Sequence, residues 1–198
     1  FNQGVTWVRM IATDEAANVD SCSFTVTVTD DDVPVPTCAV AGDQAVGTNT
    51  GCTYVHPDNT WDGSATDNCS APGNITITYN LYTATTATGL TTLNGQAFNQ
   101  GVTWVRMIAT DEAANVDSCS FTVTVTDDDV PVPTCAVAGD QAVGTNTGCT
   151  YVHPDNTWDG SATDNCSAPG NITITYNLYT ATTATGLTTL NGQAFNQG

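Results

Sequence analysis

The sequence predicts an all-β chain, an immunoglobulin-like β-sandwich set in tandem repeats of 97 residues. Three observations predict it. Phe1 to Ala97 recurs without a change as Phe98 to Ala194, and Phe195 to Gly198 open a third copy. Each copy carries stretches of strict apolar–polar alternation, the period of a half-buried strand, and none with helical periodicity. Gly, Asn and Asp gather between those stretches, as they do in tight turns. A period of 97 is too long for a solenoid turn and about right for one small sandwich domain.

The elements follow in order. Short strands are expected near residues 37–41, 51–56 and 90–93. Asn74 to Leu81 alternates, which turns Ile75, Ile77, Tyr79 and Leu81 inward. Val102 to Thr110 is a further strand, with Val105, Met107 and Ala109 inward and Trp104, Arg106 and Ile108 on the other face. Ser118 to Thr126 alternates most cleanly, with Cys119, Phe121, Val123 and Val125 on one side and Ser or Thr on the other. Behind it stands Thr126 to Pro133, an acidic, proline-containing segment repeated from Thr29 to Pro36. Its prolines stop the strand and stiffen the connection. On this phase residues 1–30 are the C-terminal strands of a truncated preceding repeat. Residues 31–127 are a complete sandwich, and 128–198 are the N-terminal part of the next. A chain that does not begin with Met and carries no signal peptide reads as a piece of something longer or processed.

Charge excludes whole classes of function. The chain has 20 Asp and Glu against 2 Arg and no Lys, a formal net charge of −18. Nucleic-acid binding by phosphate neutralisation needs clustered Lys and Arg, and docking on an anionic membrane needs them as well. No apolar run approaches the roughly 20 residues of a membrane span. Charged residues are only 11% of the chain, against about 25% in ordinary soluble domains. The polar surface is Thr, Asn, Ser and Gln instead, as in secreted β-rich modules.

Each repeat holds four cysteines, which allow three pairings. No C-x-x-C spacing supports zinc, so disulfides and an oxidising, extracellular location are the better reading. Cys38 and Cys52 flank a turn centred on Ala45, and a hairpin would set them opposite each other. Cys69 precedes one strand and Cys119 opens the last, at the same end of a sandwich. The expected bonds are therefore Cys38–Cys52, Cys69–Cys119 and, in the next copy, Cys135–Cys149. Cys22 and Cys166 have no partner in their own fragments. Each closed loop would add ~3–4 kcal/mol through the unfolded state.

Three stretches of the last half resemble a known family. They are Phe98 to Val105, Ala109 to Asn115 and Cys119 to Asp127. They resemble the hyalin repeat family, whose modules end in F-x-x-G-x-T-x-V, A-x-D-x-x-G-N and C-x-F-x-V-x-V. Ala114 stands where that pattern has Gly. Thr66-Asp67-Asn68-Cys69 resembles the T-D-N-C of bacterial members. The resemblance implies an immunoglobulin-like, non-catalytic extracellular module. Such modules occur in tandem in adhesion proteins, including giant bacterial surface adhesins.

The richest chemistry is acidic. Asp30, Asp31 and Asp32 enter from the linker, Asp62, Asp67 and Asn68 lie in the loop before the Ile75 strand, and Asp111, Glu112, Asn115 and Asp117 lie in the last hairpin loop. Asp127, Asp128 and Asp129 repeat the linker set. Hard oxygen ligands converging from three segments suit Ca²⁺, which takes 6–8 of them; the alternative is a solvated acidic surface that keeps the protein soluble. His56 with Asp58 does not make a hydrolytic site, since no nucleophile-elbow pattern accompanies it. Trp61, Trp104, Tyr54, Tyr79 and Tyr82 are candidates to stack on surface glycan, Trp104 foremost, or else are packing residues. Asn74-Ile75-Thr76 and Asn68-Cys69-Ser70 match the N-glycosylation pattern, and the Thr-rich residues 83–92 are a candidate for O-linked sugar. The expected function is a structural spacer or stalk in an extracellular filament or cell-surface adhesin, not an enzyme. Its partners would be adjacent repeats of the same polypeptide or filament. The alternative is that the repeats themselves are adhesive, for glycan or a neighbouring filament.

Overall fold

The structure is a computed structural model that describes residues 1–83, 87–179 and 184–196. Residues 84–86 of the Thr-rich stretch lie outside the described residues. The described fold is all-β apart from two short 3-10 turns at Pro72–Asn74 and Pro169–Asn171. It divides into two units, Phe1–Val46 with Thr53–Thr126, and Gly47–Cys52 with Asp127–Gly198.

The first unit opens with a hairpin of β1 (Gly4–Thr13) and β2 (Val19–Val28), which pair only with each other. Then come β3 (Val35–Thr37), β4 (Asp43–Gly47), β5 (Thr53–Val55), β6 (Ser64–Thr66) and β7 (Thr76–Tyr82). They are followed by β8 (Ala87–Leu90), β9 (Ala97–Asn99), β10 (Gly101–Thr110) and β11 (Val116–Thr126). One sheet has the order β4-β11-β10-β7-β8, and the short ladders β3-β6 and β5-β9 stand apart from it. β3 and β9 pack on β10 and β11, giving two layers.

The alternation places the core as expected. Register sets Val105 opposite both Phe121 and Leu81, and Met107 opposite both Cys119 and Tyr79. Val105, Met107, Ala109 and Val123 are fully buried, and Phe121, Val125, Tyr79, Leu81 and Ile75 nearly so. Trp61, Leu93 and Phe98 close the core, with Trp61 edge-on to Phe98 and Phe121. Trp104 faces outward, 57% exposed, directly across from Tyr82 on β7.

The short strands depart from expectation. Ala45 lies inside β4, which joins β11, so no Cys38–Cys52 hairpin forms. β3 pairs instead with β6, and β5 with β9; neither β6 nor β9 was expected. Three-residue strands carry too little alternation to register as a pattern, and their pairing depends on what lies across the sandwich.

In the second unit β12 (Val132–Thr134) pairs β14 (Ser161–Thr163), β13 (Thr150–Val152) pairs β17 (Ala194–Asn196), and β15 (Tyr176–Leu178) pairs β16 (Ala184–Leu187). These reproduce β3-β6, β5-β9 and β7-β8. Residues 140–144, the copy of β4, are not a strand, and β15 has 3 residues where β7 has 7. In the first unit β4 and β7 are hydrogen-bonded to β11 and β10; without those partners a ladder has nothing to pair with. A cavity of about 690 Å³ lies among Gln141, Val143, Tyr151, Trp158 and Phe195.

Candidate metal centre

Three of the expected acids converge at one place. Carboxylate oxygens of Asp30, Asp67 and Asp111 lie within 4.8 Å of one another, with Asp111 buried and the other two half-buried. The segment between β2 and β3 delivers Asp30, the loop after β6 delivers Asp67, and the β10–β11 turn delivers Asp111. That turn is closed by its own residues: Asp111 N–H donates to Asn115 O at 3.1 Å, and Asn115 N–H donates to Asp111 Oδ1 at 2.7 Å. Asn115 Nδ2 donates to Asp111 Oδ2 at 2.9 Å and to the Asp30 carbonyl at 3.3 Å, which fastens the β2–β3 segment to the turn. Ala114 adopts φ 69°, the left-handed region. Gly reaches that region without steric cost, which gives the Gly of the family pattern its physical reason.

The Asp67 loop is built the same way. Cys69 and Ser70 N–H groups donate to Asp67 Oδ1 at 2.9 and 2.7 Å. These bonds, Ser70 first, hold the Asp67 carboxyl below its ordinary pKa despite its partial burial. Asp30 goes the other way: burial raises its pKa, with the negative charges of Asp67, Asp111 and Asp32 adding to it. Asp30 Oδ2 and Asp67 Oδ2 are buried without a hydrogen-bond partner. Such oxygens are costly unless a proton or a cation satisfies them. The donor set is all hard oxygen, the chemistry of Ca²⁺.

The other expected ligands are engaged elsewhere or lie outside this cluster. Asp32 accepts from Asn68 Nδ2 at 2.6 Å, and Glu112 accepts from Asn74 Nδ2 at 3.0 Å. Asp31 is not in the cluster, and Asp127, Asp128 and Asp129 belong to the second unit. Asp129 there accepts from Asn165 at 2.6 Å as Asp32 does from Asn68. Asp62 is structural: it accepts from Leu93 N–H at 2.7 Å and from the Thr92 hydroxyl at 2.6 Å. Asn115, expected beside the loop acids, joins the cluster through its amide, which bonds Asp111 and the Asp30 carbonyl.

The cysteine pairing is corrected. Cys38 is bonded to Cys119, with Cα atoms 5.9 Å apart, and not to Cys52. Cys119 lies on the inward column of β11, and β3, which ends just before Cys38, packs on that strand. The bond therefore crosses the sandwich where a hairpin bond was expected. Cys69 is exposed and free, not bonded to Cys119. Its thiol pKa is raised by lost hydration and then by the charges of Asp30 and Asp67. Cys135 and Cys149 are exposed and free as well, since the hairpin meant to join them does not form. Cys166, expected without a partner, is bonded to Cys52 inside the second unit.

His56 is a packing residue. It is 2% exposed and stacked on Trp61 with ring centres 3.9 Å apart. Burial lowers its pKa, against the partial opposition of Asp58 and Asp62. Trp61, Tyr54 and Tyr79 are likewise interior or half-buried, which leaves Trp104 and Tyr82 as the exposed members of the aromatic set.

The family model "HYR domain" matches residues 74–125. No curated protein matches the chain. Among solved structures, it is similar to "Protocadherin gammaB7 EC3-6 cis-dimer structure" with a TM-score of 0.41 and 17% identity, covering 98% of this chain and 51% of that one. It is also similar to "Protocadherin Gamma B7 extracellular cadherin domains 1-4 P21 crystal form" with a TM-score of 0.38 and 12% identity, covering 95% of this chain and 50% of that one. The chain spans about half the length of each. The family model covers the stretches from Phe98 to Val125 that resemble the hyalin repeat family, so that resemblance is borne out for a HYR-like, all-β module at residues 74–125.

Proposed function

We propose that this chain is a spacer segment of an extracellular filament or cell-surface adhesin, with residues 31–127 as its repeating domain and Ca²⁺ at the linker. The observation that carries this is the placement of Asp30. A linker carboxylate sits half-buried against Asp67 and Asp111 of the domain that follows it, with an oxygen left unsatisfied. A cation there would bind linker and domain together, so bending at that point would cost free energy. The Cys38–Cys119 bond would keep the domain closed under load. Adjacent repeats of the same polypeptide are the partners. The test is calcium titration of this chain with melting and small-angle scattering. Millimolar Ca²⁺ should raise the melting temperature over chelator, and Asp67→Asn should abolish the gain. An unchanged melting temperature would leave the acids as solubilising surface.

A second reading rests on Trp104 and Tyr82, which stand side by side and exposed on the outer face of β10 and β7. Exposed aromatic faces suit sugar rings, and this reading makes the repeats themselves adhesive. Binding on a glycan array that is lost in Trp104→Ala would favour it.

A further inference from the structure

We propose that Gly47–Cys52 is a staple handed from one repeat to the next and closed by a disulfide, of which Cys52–Cys166 is the instance in this chain. The six residues cluster with Asp127–Gly198, while the residues on both sides of them belong to the other unit. Within the second unit they are held along their length. A Cβ on Gly47 would collide with the Asp128 side chain, and the Thr48 hydroxyl donates to Asp129 Oδ2 at 3.5 Å. Asn165 Nδ2 donates to the Gly51 carbonyl at 3.1 Å and to Asp129 Oδ2 at 2.6 Å. Cys52 and Cys166 then meet as a bonded pair, with Cα atoms 4.9 Å apart.

The receiving loop exists twice. Cys166 and Ser167 N–H groups donate to Asp164 Oδ1 at 2.9 and 2.6 Å, and Cys69 and Ser70 make the same bonds to Asp67. Asn68 donates to Asp32 as Asn165 does to Asp129. Cys69 is thus a formed receiver with an exposed, free thiol. The giving segment also exists twice: Cys149 is the copy of Cys52, and Gly148 has φ 62° where Gly51 has φ 59°.

Two bond types then account for every cysteine. The free thiols are Cys22, Cys69, Cys135 and Cys149. At a spacing of 97 they are the copies of Cys119, Cys166, Cys38 and Cys52 respectively. In an array of this repeat, Cys22 and Cys135 would meet partners 81 residues away and Cys69 and Cys149 partners 114 residues away, each in a neighbouring copy. Closing the staple removes one hydrogen from each thiol and forms one S–S bond. The two electrons and two protons pass to a disulfide oxidant of the thiol–disulfide exchange class, whose own S–S bond breaks to two thiols.

Because the two copies yield identical peptides, the test uses the full chain with Cys22, Cys69, Cys135 and Cys149 changed to Ser. After oxidation with oxidised glutathione, native alkylation should find no free thiol. Non-reducing peptide mapping should then link the Cys52 peptide to the Cys166 peptide. Adding Cys166→Ser should expose one thiol per chain, at Cys52, with Cys38–Cys119 retained as the sign that the domain has folded. A Cys52 that bonds Cys38 or Cys119, or that alkylates fully before Cys166 is changed, would overturn the proposal.

Discussion

Ala114 shows how a single residue carries a cost that only its backbone reveals. Its φ of 69° lies where a Cβ crowds the following carbonyl, at about 1–2 kcal/mol. Ala114→Gly removes that crowding but loosens the unfolded chain, so a net gain of about 0.5–1 kcal/mol is expected from urea denaturation. Asp30 poses an electrostatic version of the same question. Its pKa is raised, so its stabilising protonated form is fully present below the unfolded value of 3.8 and is lost as pH rises through the folded value. In chelator, Asp30→Asn should therefore melt higher than the parent at neutral pH. The gap should close as pH falls to the ordinary carboxylate range. A gap that does not change with pH would show that Asp30 carries no electrostatic penalty. With Ca²⁺ the sign should reverse, because the variant loses a ligand.

The elements that matter most are the ones that pair across long stretches of chain. β10 and β11 supply the inward columns of Val105, Met107, Phe121, Val123 and Val125, and the bond from Cys119 to Cys38 ties that sheet to the layer above. The bond spans a sequence separation of 81. A loop of that size restricts the unfolded chain by about 4–5 kcal/mol in the entropic account. The paired change Cys38→Ser with Cys119→Ser should cost about that much in denaturant midpoint analysis, with far-UV spectra unchanged. Gly63 marks a second tight point. A Cβ there would meet Met107 and, at 2.5 Å, the backbone oxygen of Thr37, while its N–H donates to the buried Tyr79 hydroxyl at 2.8 Å. Gly63→Ala should destabilise by roughly 2 kcal/mol or more through overpacking, seen as a fall in melting temperature.

At the scale of the whole molecule, one sequence has two fates. β1–β2 and β10–β11 are the same residues in the same register, displaced by 97. Met107 and Phe121 are buried, whereas their copies Met10 and Phe24 are 60% and 55% exposed. A two-stranded hairpin without a covering layer is marginal in water. Residue-resolved amide exchange by NMR should therefore show strong protection for residues 101–125 and weak protection for 4–28. Equal protection of the two would mean that the first hairpin is covered in solution.

That contrast divides what the sequence alone could determine from what tertiary structure decided. The all-β fold, the inward column of each long strand and the outward Trp104 were legible, because side-chain alternation is a local property of extended backbone. The meeting of acids from three segments was legible in outline, since Asp30 and Asp111 stand at the ends of readable strands and Asp67 in the loop before another. Which of the acids would face one another was not, because Asp32 and Glu112 found nearby amides to bond. The cysteine pairing was misread for the same physical reason. Spacing along the chain suggested a hairpin at Ala45, but hydrogen bonding placed that segment beside β11, some eighty residues away in sequence. Burial, too, belongs to the tertiary structure: identical residues are core in one copy and surface in the other, because burial depends on what packs across the sandwich and not on the strand itself.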